Sequence, residues 1–178
     1  MNNVNIDEIY SFYATTAPGL ETVAAEELSN YAEITDSGGA IVFFKTKLSE
    51  CRQIIRKSRV VNKIVWILAE SNAGNYDDLY KLSNSIEWDN LFELKNTFKI
   101  DATAVATNLN NTVFGALKVK DGIADYFRNK YDSRPDVQKN EPDVYIELRV
   151  YKNKAAIGLN LAGQPLFKRG YRTATNVA

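Results

Sequence analysis

The chain has 178 residues, 45% of them hydrophobic, and 22 Lys and Arg balance 22 Asp and Glu, which allows one large or two small domains with a buried core. The absence of histidine and the single cysteine exclude Ser-His-Asp triads, Cys-His dyads, internal disulfides and most zinc sites. The sequence also contains no apolar run long enough for a membrane span, no secretory signal and no glycine-rich nucleotide loop. Together with the single cysteine, this predicts a cytoplasmic protein in a reducing compartment.

Residues 1–70 predict a ferredoxin-like domain with the element order β-α-β-β-α-β. Strands are expected at residues 11–16, 32–36, 40–44 and 63–69, with helices from about Pro18 and over residues 46–59 and a tight turn at 37–39. The aromatic residues of these strands, Phe12, Tyr13, Phe43 and Phe44, are expected in the core. A base-stacking face is the alternative interpretation.

Residues 71–165 predict a second, α/β domain. One or two short helices are expected at 75–94 with Trp88 as a packing anchor, followed by a strand at 97–106, a long helix, and strands at 144–151 and 155–161. In the first of the last two strands, Tyr145, Glu147 and Arg149 alternate with apolar residues, which predicts one solvent-exposed face.

The long helix is predicted between the N-cap residues Asn110 and Asn111 and the boundary at Arg134-Pro135. Its apolar arc contains Ala116, Val119, Ile123, Phe127 and Tyr131, with Val113 and Ala124 at the border. Lys120 projects from this arc. It is expected either to snorkel or form an ion pair, or to stand at a cleft edge where it meets a phosphate.

Charge is distributed unevenly along the chain. Residues 1–94 carry 8 Lys and Arg against 14 Asp and Glu, whereas residues 95–178 carry 14 against 8. The asymmetry predicts that the second half faces a polyanion. A protein partner that orients on the charge dipole is the alternative.

The last residues form a basic, aromatic segment, Leu166–Arg172, with the sequence LFKRGYR. Three cations, an aromatic ring and a glycine within seven residues are typical of a phosphate-binding turn with a stacking platform. A solvated terminal tail is the alternative. We interpret residues 166–178 as the start of a linker to a further domain.

Several motifs together resemble a known family: FYATTAPGLETVAAEEL at 12–28, LKVKDGI at 117–123, Arg134-Pro135, Pro142-Asp143 and LFKRGYR at 166–172. The whole chain resembles the N-terminal ferredoxin-like and THUMP region of bacterial 23S rRNA guanine-N2 methyltransferases. The resemblance implies a THUMP domain at 71–165, although a family profile could start nearer residue 45.

The resemblance implies that the chain binds and positions structured RNA, most simply 23S rRNA, without DNA or a membrane as partner. S-adenosylmethionine and catalysis would belong to a following methyltransferase domain, so no catalytic, metal or cofactor residue is expected here. The cations of the long helix and its boundary add Lys118, Arg128, Lys130 and Arg134 as candidate RNA-binding residues. The resemblance itself points to Lys120 and, in the basic segment, to Lys168, Arg169, Tyr171 and Arg172. The last four could instead contact the following domain.

Two positions depart from the family pattern. Gly122 stands where the family usually has alanine, which costs about 1 kcal/mol of helix stability unless another group packs close to it. Phe167 replaces a frequent histidine. A related tRNA guanine-N2 enzyme, a small-molecule regulatory module and a protein adaptor remain as alternatives.

Overall fold

The computed structural model describes residues 4–166, which form seven β-strands and four α-helices, and the predicted α+β class is confirmed. The strands are β1 Ile9–Thr16, β2 Glu33–Gly38, β3 Ile41–Lys47, β4 Val61–Asn72, β5 Phe98–Val105, β6 Val144–Tyr151 and β7 Lys154–Asn160. The helices are α1 Glu21–Ser29, α2 Leu48–Lys57, α3 Tyr76–Asn84 and α4 Thr112–Tyr131, with a 3₁₀ turn at Trp88–Asn90.

The described chain divides into two compact units. The first unit contains residues 6–66 and 161–166, and the second contains residues 4–5 and 67–160. Strand β4 contributes residues to each. The domain boundaries predicted at 70/71 and 165/166 stay predictions.

The first unit has the predicted β-α-β-β-α-β order, with β1 antiparallel to both β3 and β4 and β2 antiparallel to β3. Its core is built on the stacked rings of Phe12 and Phe44, whose centroids lie 5.4 Å apart. Leu28, Ile54 and Ile64 are buried with these rings. The aromatic pair therefore packs in the core and offers no surface for base stacking.

Two local features of the first unit differ from the prediction. Helix α1 begins at Glu21 and not at Pro18, because Gly19 adopts a φ of 87° and Leu20 is the N-cap. The β2–β3 turn is formed by Gly39 and Ala40 with φ values of 60° and 63°, as in a two-residue type I′ hairpin. The Ala40 N–H donates to Glu21 Oε1 at 2.8 Å, which helps to hold alanine in this left-handed conformation.

In the second unit the strand order is β4-β7-β6-β5, so that β5 is the outer strand. Strands β5 and β6 are parallel and are connected through α4, whereas β6 and β7 form an antiparallel hairpin. Helices α3 and α4 pack against each other. Trp88 is fully buried, as predicted, and its Nε1–H donates to the Ser83 carbonyl at 2.8 Å.

Gly122 lies at a close approach of α3 and α4. A Cβ atom at this position would lie 2.7 Å from Ser83 Cβ and 2.8 Å from the Tyr80 carbonyl oxygen. The Ser83 hydroxyl donates to the Val119 carbonyl at 2.8 Å across the same crossing. The close packing that would justify glycine in this helix is therefore present.

Three further expectations were wrong in detail. Within residues 86–94 the only regular element is the 3₁₀ turn, and α4 ends at Tyr131, with Asp132 at a φ of 52°, before it reaches Pro135. Glu147 does not lie on an exposed face, because it is only 5% exposed and accepts a hydrogen bond from Asn160 Nδ2 at 3.3 Å. None of the helices in residues 4–166 has the length and apolarity needed to cross a membrane.

Candidate nucleic-acid interface

An open cleft lies between the outer strand β5 and helix α4 in the second unit, with a volume of about 590 Å³. Its apolar wall is formed by the side chains of Val113 and Leu117 on α4 and of Val137, which are 70%, 45% and 53% exposed. Exposed apolar side chains grouped in one concave surface are typical of a binding site. We call this surface the β5–α4 cleft.

The β5–α4 cleft exists because the chain returns to the start of β5 after α4. The Phe98 N–H donates to the Asp136 carbonyl at 3.0 Å, and the Gln138 N–H donates to the Phe98 carbonyl at 3.0 Å. Val137 forms an isolated parallel bridge with Phe98. This short pairing fixes residues 137–140 as the third wall of the cleft.

Three lysines line the β5–α4 cleft, one from each wall: Lys99 on β5, Lys120 on α4 and Lys139 in the returning segment. Lys99 Nζ lies 2.8 Å from Asp101 Oδ1, and Lys120 Nζ lies 2.9 Å from Asp121 Oδ1. No carboxylate in residues 4–166 forms an ion pair with Lys139. The cleft therefore carries three ammonium groups and one lining carboxylate, Asp101.

The lysines of the cleft are suited to an anionic ligand. The hydrogen bond to Asp101 raises the pKa of Lys99, so its ammonium group is charged at neutral pH. The ion pairs of Lys99 and Lys120 are both partly exposed, and such pairs contribute little stability. A phosphate can therefore compete for these lysines at small cost.

Lys118 and Arg128, also predicted as RNA-binding residues, lie in a different groove along α3 and α4. Lys118 Nζ contacts Asp77 Oδ1 at 2.6 Å, and Arg128 Nη1 contacts Asp125 Oδ1 at 3.1 Å. Asp121 also lines this groove. A phosphate there would meet carboxylates as close as cations, so the groove is a weaker anion site than the β5–α4 cleft.

Lys130 is held in a cluster around Asp89 in the 3₁₀ turn. Lys130 Nζ and the Tyr131 hydroxyl donate to Asp89 Oδ2 at 2.6 and 2.7 Å, and the Tyr126 hydroxyl donates to Asp89 Oδ1. The hydrogen bond from Lys130 is the main reason that the pKa of Asp89 lies well below its ordinary value. Burial, together with Asp89, raises the pKa of Tyr126 to about 12.

Arg134, the remaining candidate within the described residues, does not line the β5–α4 cleft. Arg134 is exposed after the end of α4, whereas Lys168, Arg169, Tyr171 and Arg172 lie outside the described residues. The roles of all nine candidates in RNA binding stay predictions.

Sequence reasoning missed Lys99 and Lys139. Lys99 precedes the acidic Asp101 in an alternating strand, and Lys139 lies in a polar segment without periodicity. The only sequence signal was the excess of cations after residue 94, which does not say which of them converge.

Comparison with known proteins identifies the domain family of the second unit. Residues 73–160 match the THUMP domain family. The chain therefore contains a THUMP domain, and the predicted resemblance is confirmed.

The particular relatives are large-subunit ribosomal RNA methyltransferases. The chain is homologous to the N-terminal region of Ribosomal RNA large subunit methyltransferase K/L from Pseudoalteromonas atlantica, with 32% identity over 173 residues, covering 96% of this chain and 24% of that protein. The chain thus spans about a quarter of the length of the curated relatives it matches.

Solved structures show the same fold. SMU.472, solved in complex with SAH, superposes with a TM-score of 0.80 at 26% identity and covers 94% of this chain and 45% of that one. A methylase-like protein from Clostridium difficile 630 gives a TM-score of 0.83 at 23% identity and covers 93% and 44%. Both extend well beyond the region matched here.

Proposed function

We propose that this chain is the RNA-binding and substrate-positioning module of an S-adenosylmethionine-dependent rRNA (guanine-N2) methyltransferase. The observation that carries the proposal is the β5–α4 cleft, in which Lys99, Lys120 and Lys139 surround an exposed apolar wall within the THUMP domain. The homology to large-subunit ribosomal RNA methyltransferases supports RNA of the large subunit, 23S rRNA, as the partner.

The proposed mechanism is placement of the substrate. Phosphate contacts fix the register and orientation of a nucleic acid but carry no sequence information. Because the three lysines lie on separate walls of one cleft, they would contact the phosphates of a bent or looped RNA backbone better than those of a straight one. This arrangement suits structured RNA. Holding the target in one orientation lowers the entropic cost of a subsequent reaction.

The methyl transfer itself would be carried out by a C-terminal catalytic domain of the same protein in the cytoplasm. That domain would bind S-adenosylmethionine and present its methyl group to a guanine amine. The basic segment Lys168–Arg172 would then contact either the RNA or this catalytic domain. The residues of the present chain would bind and orient the RNA.

The proposal is tested by fluorescence-anisotropy titration of the 178-residue chain with structured 23S rRNA fragments at several salt concentrations. We expect Lys120→Gln/Lys139→Gln to weaken binding and to reduce the slope of log K against log salt by about one per lysine removed, because each lysine releases counterions from the RNA.

The matched control is Lys81→Gln/Lys95→Gln, which removes the same charge from exposed lysines of the second unit that do not line the cleft. This control variant should change the RNA affinity and the slope of log K against log salt much less. Equal losses in the two double variants would contradict a specific role of the β5–α4 cleft, and no salt-dependent binding by the unmodified chain would contradict the proposed function itself.

A further inference from the structure

The turn that joins β6 to β7 groups three cations around an exposed aromatic ring. Tyr151 ends β6 and is 42% exposed. Arg149 Cζ lies 5.0 Å and Lys152 Nζ 5.4 Å from the centroid of its ring. Lys154 begins β7 directly opposite Tyr151 and is also exposed. We call these four residues the β6–β7 turn cluster.

The backbone of this turn is anchored on both sides. The Lys152 N–H donates to the Val105 carbonyl at 3.0 Å, and the Asn153 carbonyl accepts from the Ala73 N–H at 2.8 Å. Lys152 has a φ of 54°, a left-handed conformation that is unfavourable for a lysine unless neighbouring contacts hold it. The turn therefore presents Tyr151 in a fixed position, which reduces the entropy lost when a ligand binds.

The charge of the β6–β7 turn cluster is not neutralised locally. Among residues 4–166, no carboxylate forms an ion pair with Arg149, Lys152 or Lys154. On α4, by contrast, Lys118, Lys120, Arg128 and Lys130 each contact an aspartate. Attraction to the ring of Tyr151 orients the cations but does not cancel their charge. The cluster is thus positive and aromatic at once.

We propose that the β6–β7 turn cluster binds an unpaired nucleotide of RNA, with the base stacked on Tyr151 and the adjoining phosphates at Lys152 and Lys154. An exposed ring accepts the π face of any base, and nearby cations follow the backbone. Arg149 Cζ and Lys152 Nζ both lie over the ring of Tyr151, so the stacked base takes the place of one of these cations, which then contacts a phosphate. Bases within a duplex stack on each other and leave no such face free, so the cluster selects single-stranded segments.

This inference rests on the proposed RNA-binding function and deepens it. The lysines of the β5–α4 cleft contact phosphates, whereas the β6–β7 turn cluster recognises whether a base is unpaired. An acidic protein segment could form ion pairs with the three cations, but its carboxylates would not stack on the ring of Tyr151. Stacking is therefore the property that distinguishes the proposed ligand.

The test compares two labelled RNAs of equal length, a stem with an unpaired loop and a blunt duplex, in anisotropy titrations with the 178-residue chain. We expect Tyr151→Ala to weaken binding of the loop RNA about tenfold, because loss of one base–aromatic stack costs roughly this much. Duplex binding should change less than about twofold. Tyr151→Phe keeps the ring and should bind the loop RNA as the unmodified chain does.

Two further variants serve as controls. Tyr31→Ala removes a tyrosine of the first unit that also has a lysine near its ring, with Lys57 Nζ 5.4 Å from the centroid, and should leave loop binding unchanged. Tyr151→Leu keeps an apolar side chain of similar reach without the π face, so it should lose loop affinity even if the alanine variant were poorly folded.

The outcomes separate this inference from the proposed function. If the unmodified chain binds the loop RNA and Tyr151→Ala and Tyr151→Leu bind it equally well, stacking on Tyr151 is disproved and the proposed function stands. If these variants lose the same affinity for the loop RNA and for the duplex, selection of unpaired bases is disproved. If the unmodified chain binds neither RNA at low salt, the inference and the proposed function both fail.

Discussion

Lys120 shows how one charged side chain is accommodated on the apolar arc of a helix. Its side chain is 30% exposed, lines the β5–α4 cleft and contacts the adjacent Asp121 at 2.9 Å. The sequence left open whether Lys120 forms an ion pair or lies at the edge of a cleft. In the structure it does both. A partly exposed pair between neighbouring residues is weak, so it leaves the ammonium group available.

The close approach of α3 and α4 makes Gly122 sensitive to any added side chain. We expect Gly122→Ala to lower the free energy of unfolding by up to about 2 kcal/mol, because forcing the helices apart costs about 1–3 kcal/mol and the gain in helix propensity offsets only about 1 kcal/mol. Urea denaturation followed by circular dichroism measures the change.

Gly115 on the same helix is the matched control. A Cβ atom there would meet Leu148 Cδ2 at 3.3 Å and Leu79 Cδ1 at 3.5 Å, both of them side-chain methyl groups that can move slightly. Gly115→Ala should be near neutral. If Gly122→Ala stabilises the protein, the crossing of α3 and α4 is not rigid.

Helix α4 is connected to the 3₁₀ turn by the hydrogen bonds that Asp89 accepts. Because the folded pKa of Asp89 is depressed, its contribution to stability is complete above the ordinary carboxyl pKa of 3.8 and is lost as the pH falls further toward the folded pKa. The connection between these elements is therefore acid-sensitive.

We expect Asp89→Asn to lower the free energy of unfolding by about 2 kcal/mol at pH 7, since hydrogen bonds to a charged group contribute about this much. The difference from the unmodified chain should shrink at pH 3, where the unfolded carboxyl is largely protonated. Urea denaturation at the two pH values gives both numbers. If the difference in stability grows at pH 3, the folded pKa of Asp89 is not depressed, which contradicts the prediction.

At the level of elements, the sequence predicted features that depend on local chemistry. Asn111 accepts a hydrogen bond from the Phe114 N–H at 3.0 Å, so the start of α4 followed from its capping residue. The region around Trp88 was predicted as helical, but burial of the indole and its bond to the Ser83 carbonyl hold it in one 3₁₀ turn. Tertiary packing overrode local propensity there.

The site itself was only partly predictable. Lys120 was identified because it interrupts an apolar arc, which is a local signal. Lys99 and Lys139 are 40 residues apart in the sequence and converge through the bridge between Phe98 and Val137. The register of that pairing cannot be read from periodicity, so neither lysine could be assigned to the cleft beforehand.

At the scale of the whole molecule, the charge asymmetry of the sequence does not persist in the fold. Residues 67–160 carry 12 Lys and Arg and 14 Asp and Glu, because the second unit includes acidic residues from the first half of the sequence. Asp77 and Asp89 contact Lys118 and Lys130 of α4. Affinity for RNA would therefore depend on where cations remain unpaired and not on net charge.

Cys51 gives the first unit a probe of its own folding. It is the single cysteine of the chain, is 1% exposed in α2, and burial raises its pKa to about 12. Thiol reagents react with the thiolate, so Cys51 can be modified only when the first unit opens. The modification rate in native buffer therefore measures the opening equilibrium of that unit alone, without any introduced label.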